Sequence, residues 1–187
     1  MNKKQLRVEF KNRRNNLSSE QIDNYSLQIA NLVINLPIWG YSFYHVFLSI
    51  KSLKEVNTEP ILAILSGKDK NIIVSKTEFE AQTMSHVLLQ DSTVLKLNSR
   101  NIPEPENGIE ISNKQIEVVF IPLLAFDNLG NRIGYGKGFY DVFLKECSKT
   151  TLKIGLSLFE AADSTVDSQS HDIPLDYCIT PNKVYRF

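Results

Sequence analysis

Apolar residues recur at helical spacing through Ile22, Tyr25, Ile29, Leu32 or Val33, and Leu36, and the pattern stops at Pro37. Just before it stands Ser18-Ser19-Glu20-Gln21, in which a serine three residues ahead of a glutamine forms a capping-box signature. Near the start, Leu6 and Phe10 lie four apart and share one face of a helix. Beyond Pro37 the pattern shifts to aromatic and β-branched runs. Residues 42–50 and 71–75 predict strands, with a helix over 58–66 ended by Gly67 between them. Residues 85–90 and 93–97 predict two further strands around a turn at Asp91-Ser92. The run 117–121 is almost continuously apolar, as in a strand buried on both faces of a parallel sheet. A helix over 138–147, a strand over 151–158 and a last strand over 177–180 complete the series. Strand–helix alternation of this kind predicts an α/β sheet with helices on both faces. Residues 98–116 form the longest polar connection, and no internal repeat or low-complexity tract interrupts the chain.

A length of 187 residues suits a single domain over 1–187 with a substantial core. No apolar run approaches the ~20 residues of a membrane-spanning helix, and the polar, basic start lacks a signal-peptide core. Cys147 and Cys178 are isolated in the sequence; free thiols in a reducing, cytoplasmic compartment are expected. The net charge of zero hides an asymmetry: residues 1–14 hold six Lys and Arg against Glu9 alone. Lys3, Arg7, Lys11 and Arg14 form a cationic stripe beside Leu6 and Phe10. Most such runs are solvated faces. One stripe on an otherwise neutral chain argues against nucleic acid as a partner.

Chemistry concentrates elsewhere. Half of the eight glycines fall between Gly130 and Gly138, beside Arg132, Lys137 and Asp141. Closely spaced glycines let the backbone take positive φ and approach a ligand, and successive N–H groups form a nest for anionic oxygen. Arg132 and Lys137 add full positive charge, and Asp141 offers the hard oxygen that a phosphate-bound magnesium needs. Neither a Walker A loop nor a dinucleotide fingerprint fits, because Lys137 is followed by Gly138-Phe139 and the third residue after Gly136 is Phe139. The loop follows the buried 117–121 strand and opens a helix, where ligands of α/β sheets bind and where the helix dipole favours an anion. The cysteines and histidines lack zinc-ligand spacing. Adjacent residues point apart, so Ser170-His171-Asp172 makes no triad, and His45 and His86 read as structural.

The segment Leu124-Ala125-Phe126-Asp127 through Gly130, Arg132 and Gly134-Tyr135-Gly136-Lys137-Gly138-Phe139-Tyr140-Asp141 resembles the signature of 5-formyltetrahydrofolate cyclo-ligases. Lys3-Lys4-Gln5-Leu6-Arg7, Phe47-Leu48-Ser49, Glu55-Val56-Asn57-Thr58, Ile102-Pro103-Glu104-Pro105, Lys153-Ile154-Gly155-Leu156, His171-Asp172 and Ile179-Thr180-Pro181 extend the resemblance over nearly the whole chain. The resemblance implies an α/β fold, a three-layer α/β/α domain with a mostly parallel central sheet. It implies an enzyme that closes 5-formyltetrahydrofolate, with or without a polyglutamate tail, to 5,10-methenyltetrahydrofolate, with ATP as co-substrate and Mg2+; a cytoplasmic monomer is expected. By the same resemblance, Lys3, Lys4, Arg7 and the loop from Arg132 and Ile133 through Gly134, Tyr135, Gly136, Lys137, Gly138, Phe139 and Tyr140 meet the nucleotide, with Lys137 and Arg132 acting in catalysis. Leu48, Glu55 and loop residues Tyr135–Phe139 would meet the folate, and Asp141 and Asp172 the metal. For Tyr140 a place in the core of the following helix is the stronger expectation. The chain departs from the family pattern over 159–169, where a glutamine and a proline are expected shortly before the His-Asp element.

Overall fold

The computed structural model describes residues 2–163, 165, 166 and 172–187. Its elements run in the order α1 (Lys3–Asn15), α2 (Ser19–Ile34), β1 (Phe43–His45), α3 (Glu59–Gly67), β2 (Asn71–Glu78), β3 (Thr83–Leu88), β4 (Leu95–Leu97), β5 (Pro103–Pro105), β6 (Val118–Pro122), β7 (Ala125–Phe126), β8 (Arg132–Ile133), α4 (Phe139–Glu146), β9 (Leu152–Leu156), β10 (Tyr177–Ile179) and β11 (Val184–Arg186). The central sheet has the order β11-β10-β9-β6-β1-β2-β3. Its five inner strands are parallel, and the edge strands β3 and β11 pair antiparallel.

Strand β6 shows how one sequence run builds both layers, since alternate side chains of a strand point to opposite faces. Val118 and Phe120 enter the cluster formed with Ile22, Ile29, Val33, Ile61 and Leu65 of α2 and α3. Val119 and Ile121 enter the cluster on the other face, with Phe143 and Leu144 of α4. Each such fully buried side chain stabilises the fold by roughly 1.5–3 kcal/mol. A third cluster joins Leu6 and Phe10 of α1 to Leu124, Ala125 and Ile133 of the β7–β8 hairpin. The fold is therefore α/β in three layers, with α1 laid beside the hairpin that leads into the glycine loop.

Both amino-terminal helices start on full capping boxes, Asn2 with Gln5 and Ser18 with Gln21. Other expectations needed correction. The strand expected over 42–50 keeps ladder pairing only at Phe43–His45. Strand β4 pairs with β5 rather than with β3. Strand β5 lies inside the polar connection 98–116 and begins and ends on proline, which lacks the N–H that a ladder uses. Strand β11 is three residues at the extreme C-terminus, too short to leave a pattern. Cys147 and Cys178 are free, the first half-buried and the second buried. Ser170 and His171 lie outside the described residues, as do 164 and 167–169 of the divergent stretch. Its beginning is anchored: Phe159 packs on Phe10, and the Glu160 carboxylate accepts from Tyr185 Oη at 2.6 Å and Thr180 Oγ1 at 2.8 Å.

Candidate active site

Neighbouring strands β1 and β6 mark the point where the connections change direction across the sheet, and a cleft of about 400 Å³ opens beyond their carboxyl ends. Open α/β sheets bind ligands at such switch points. Phe47 and Leu48 enter it from the end of β1, Pro122 from β6, and Ser75 and Thr77 from β2.

One end of the cleft is the glycine loop. Gly136 and Gly138 hold φ of 87° and 76°, left-handed values that suit residues without a Cβ. Gly136 has a second reason to be glycine: a Cβ there would lie 3.3 Å from Cζ of Arg7. Arg7 reaches across from α1 and donates from Nε to the Gly134 carbonyl at 3.0 Å. Lys3, one turn earlier on the same helix, is paired with Asp172. Arg132 is paired with Asp141 at 2.7 Å and also donates to the Ile173 carbonyl. Lys137 is exposed at the tip of the loop. Cations and carboxylates expected to serve a triphosphate and its metal thus stand here as each other's partners.

The other end carries aromatic rings at its rim and a buried carboxylate. Phe79 and Phe139 meet edge to face at 5.6 Å, and the Arg100 guanidinium lies 3.7 Å over the Phe79 ring. Glu55 is 6% exposed and accepts from the Ile50 N–H at 2.8 Å. Burial pushes its carboxyl up from the usual range, against the pull of the Ile50 N–H, the Tyr135 hydroxyl and the Arg14 charge. Burial raises the Tyr135 phenol too, with Glu55 adding to the rise. Tyr140 lines the cleft while its ring packs on His45 and Phe143.

Fourteen of the expected site residues line this one cleft: Lys3, Arg7, Leu48, Glu55, Arg132, Gly134 through Asp141, and Asp172. Two do not. Lys4 is exposed on the outer side of α1. Ile133 is buried against Leu6 and Phe10, and its carbonyl accepts from the Leu124 N–H, so its role is to hold the hairpin. Arg14 is not part of an exposed stripe: it is 3% exposed. Its Nη1 donates to Tyr135 Oη at 2.7 Å and its Nη2 to the Leu123 carbonyl at 2.6 Å. The signal was there, since Arg14 stands four residues after Phe10 as Phe10 does after Leu6, and so continues the buried face. Arg100 and Phe79 carried no signal, because each is an isolated residue in a polar stretch.

Magnesium takes one or two carboxylates together with phosphate oxygens and waters, not an all-protein cage. Asp141 and Asp172 on one wall of the cleft, beside the glycine loop, fit that demand. Among the described residues no group of three or more His, Cys, Asp and Glu forms a ready-made metal site.

The chain matches the model of the 5-formyltetrahydrofolate cyclo-ligase family over residues 1–181. It is 31% identical over 186 residues to the 5-formyltetrahydrofolate cyclo-ligase of Mus musculus, covering 93% of this chain and 91% of the mouse protein. The cyclo-ligase of Escherichia coli K12 is 27% identical over 184 residues, covering 95% of this chain and 100% of that one. In three dimensions it superposes on the 5,10-methenyltetrahydrofolate synthetase of Aquifex aeolicus with a TM-score of 0.80 and 28% identity, over 100% of this chain and 93% of the other. A glycine loop at the sheet's switch point and matching length, sequence and shape lead to one conclusion: this chain belongs to the 5-formyltetrahydrofolate cyclo-ligase family.

Proposed function

We propose that this chain closes 5-formyltetrahydrofolate to 5,10-methenyltetrahydrofolate with ATP and magnesium, releasing ADP and phosphate. The observation that carries the reading is the two-ended cleft, a cation-rich glycine loop facing a buried carboxylate and an aromatic wall. The N5-formyl group is an amide, so its carbon is a poor electrophile and its oxygen a poor leaving group. Attack of the formyl oxygen on the γ-phosphorus yields an iminium phosphate and ADP. N10 then adds to the activated carbon and loses its proton, and phosphate departs with the former formyl oxygen.

This chemistry asks a protein mainly for positioning and charge neutralisation. Lys137, Arg132 and the N–H groups from Gly134 to Gly138 take the phosphates, and Lys3 and Arg7 close on them from α1. Glu55 takes the donor-rich edge of the pterin, with Leu48, Tyr135 and Phe139 against its flat face. Asp141 and Asp172 would hold magnesium, which supplies charge neutralisation on the phosphate oxygens. No side-chain nucleophile is needed. The reading treats residues 1–187 as one domain working as a cytoplasmic monomer, and a dimer in sedimentation would correct that point.

The test is to mix the protein with 5-formyltetrahydrofolate, ATP and magnesium and follow methenyl absorbance. Product should form only when both ATP and the metal are present. An undiminished rate in chelator removes the metal's role, and no product in the complete mixture overturns the reading.

A further inference from the structure

Arg14 has no place in the phosphate chemistry, yet it is a buried cation in contact with three cleft-forming segments. Nη1 donates to Tyr135 Oη of the glycine loop at 2.7 Å, and Nη2 donates to the Leu123 carbonyl just after β6 at 2.6 Å. Nη1 also reaches the Leu53 carbonyl at 3.5 Å, two residues before Glu55. Nε makes no hydrogen bond among the described residues. The Glu55 segment is tied to the same helix end a second time, because Lys54 Nζ donates to the Asn15 and Leu17 carbonyls, both at 2.7 Å.

The order of donors matters. A guanidinium can only donate, so Tyr135 Oη accepts from Arg14 and keeps its own proton for an acceptor, and the Glu55 carboxylate is the charge that acts on that phenol. The series Arg14 to Tyr135 to Glu55 is therefore directional, and each member polarises the next. A buried charge of this kind persists when it is hydrogen-bonded on several sides and paired with an opposite charge. Glu55 supplies the opposite charge nearby, felt through space.

We propose that Arg14 is the positioning residue for the folate end of the cleft: through Tyr135, Leu123 and Leu53 it fixes Glu55 and the glycine loop in the mutual arrangement that receives the pterin. The folate part of this claim rests on the function proposed above. Arg14 touches neither substrate; it acts through Tyr135 and Glu55. Helix α1 then serves both ends, with Lys3 and Arg7 at the phosphates and Arg14 at the folate.

The test uses the full chain with Arg14→Lys and, separately, Tyr135→Phe, which keeps the ring and removes the hydroxyl link. A lost hydrogen bond to a charged group corresponds to about a tenfold change in binding. Each variant should raise the KM for 5-formyltetrahydrofolate about tenfold and the KM for ATP by a clearly smaller factor, since the loosened loop also meets the phosphates while Glu55 does not. Amide exchange over 134–138 should quicken in the ligand-free protein. The double variant should be no worse than the poorer single one, because both cut one series. Arg14→Met should do worse than Arg14→Lys, the lysine restoring part of the contact. If Tyr135→Phe folds with unchanged folate KM and unchanged loop exchange, the proposal is overturned. An equal rise in both KM values overturns it too, by making Arg14 a general stabiliser. Should the unaltered protein form no methenyl product, the proposed function fails while loop exchange still judges the positioning claim.

Discussion

The two ends of the cleft handle charge in opposite ways. At the glycine loop the ionisable groups are paired with each other, Lys3 with Asp172 at 21% and 23% side-chain exposure, and Asp141 at 26% with an Arg132 side chain that is itself only 7% exposed. At the opposite end Arg14 donates to Tyr135 beside the buried Glu55, and behind Tyr140 stand His45 and His86, exposed 0% and 2%. Water and salt reach Lys3, Asp172 and Asp141, so those charges are screened and exchangeable. Burial shields Arg14, Glu55 and the two histidines, so the loss of one partner leaves a costly buried remainder. A site that must exchange phosphates every turnover benefits from the first arrangement. A site that must hold a flat heterocycle in one pose benefits from the second.

The comparison breaks most visibly at Lys137. If the exposed end supplies transition-state charge, Lys137→Ala should lower the rate by about 10²–10³ and leave the melting temperature unchanged. Wild-type turnover in that variant would leave the work to the backbone nest alone.

The buried end should show itself in acid. Burial holds His86 down at about 4 and His45 well below its ordinary value. The unfolded chain then binds protons that the folded one refuses, so stability present above about pH 6.5 is lost as pH falls toward 4. For His86 alone the loss is on the order of 3 kcal/mol, readable by urea unfolding across that window. A flat profile would mean that these rings find proton acceptors on protonation and are not sealed from water.

A smaller effect separates neighbours on α1. Replacing Lys3 and Arg7 together by Gln should raise the KM for ATP about tenfold with little change for folate. Lys4→Gln, on the exposed side, should alter ATP KM by less than twofold and stability by within about 0.5 kcal/mol. Equal behaviour of Lys4→Gln and the double variant would return the whole stripe to ordinary surface.

Much of this was legible in the sequence, for identifiable reasons. The capping box at Ser18 and the apolar run of β6 are local signals that tertiary packing reinforces. The glycine loop was readable because positive φ is written in residue type, as at Gly136 and Gly138. The buried end was harder. Arg14 occupies a core position with a residue that composition assigns to the surface, and only its spacing from Leu6 and Phe10 gave it away. The Arg100–Phe79 stack joins two isolated residues from separate strand connections, and β5 hides between prolines. Long-range pairings of this kind have no period to read.

The paired cations of the glycine-loop end have a further consequence, visible in a charge count. Five cations face the cleft, Lys3, Arg7, Arg100, Arg132 and Lys137, against Glu55, Asp141 and Asp172, a formal surplus of two. A triphosphate arriving with its divalent ion carries roughly two net negative charges. On the function proposed above, loading the cleft would be a swap of counter-ions: lysine and arginine would trade carboxylate for phosphate, and the carboxylates would trade ammonium and guanidinium for metal.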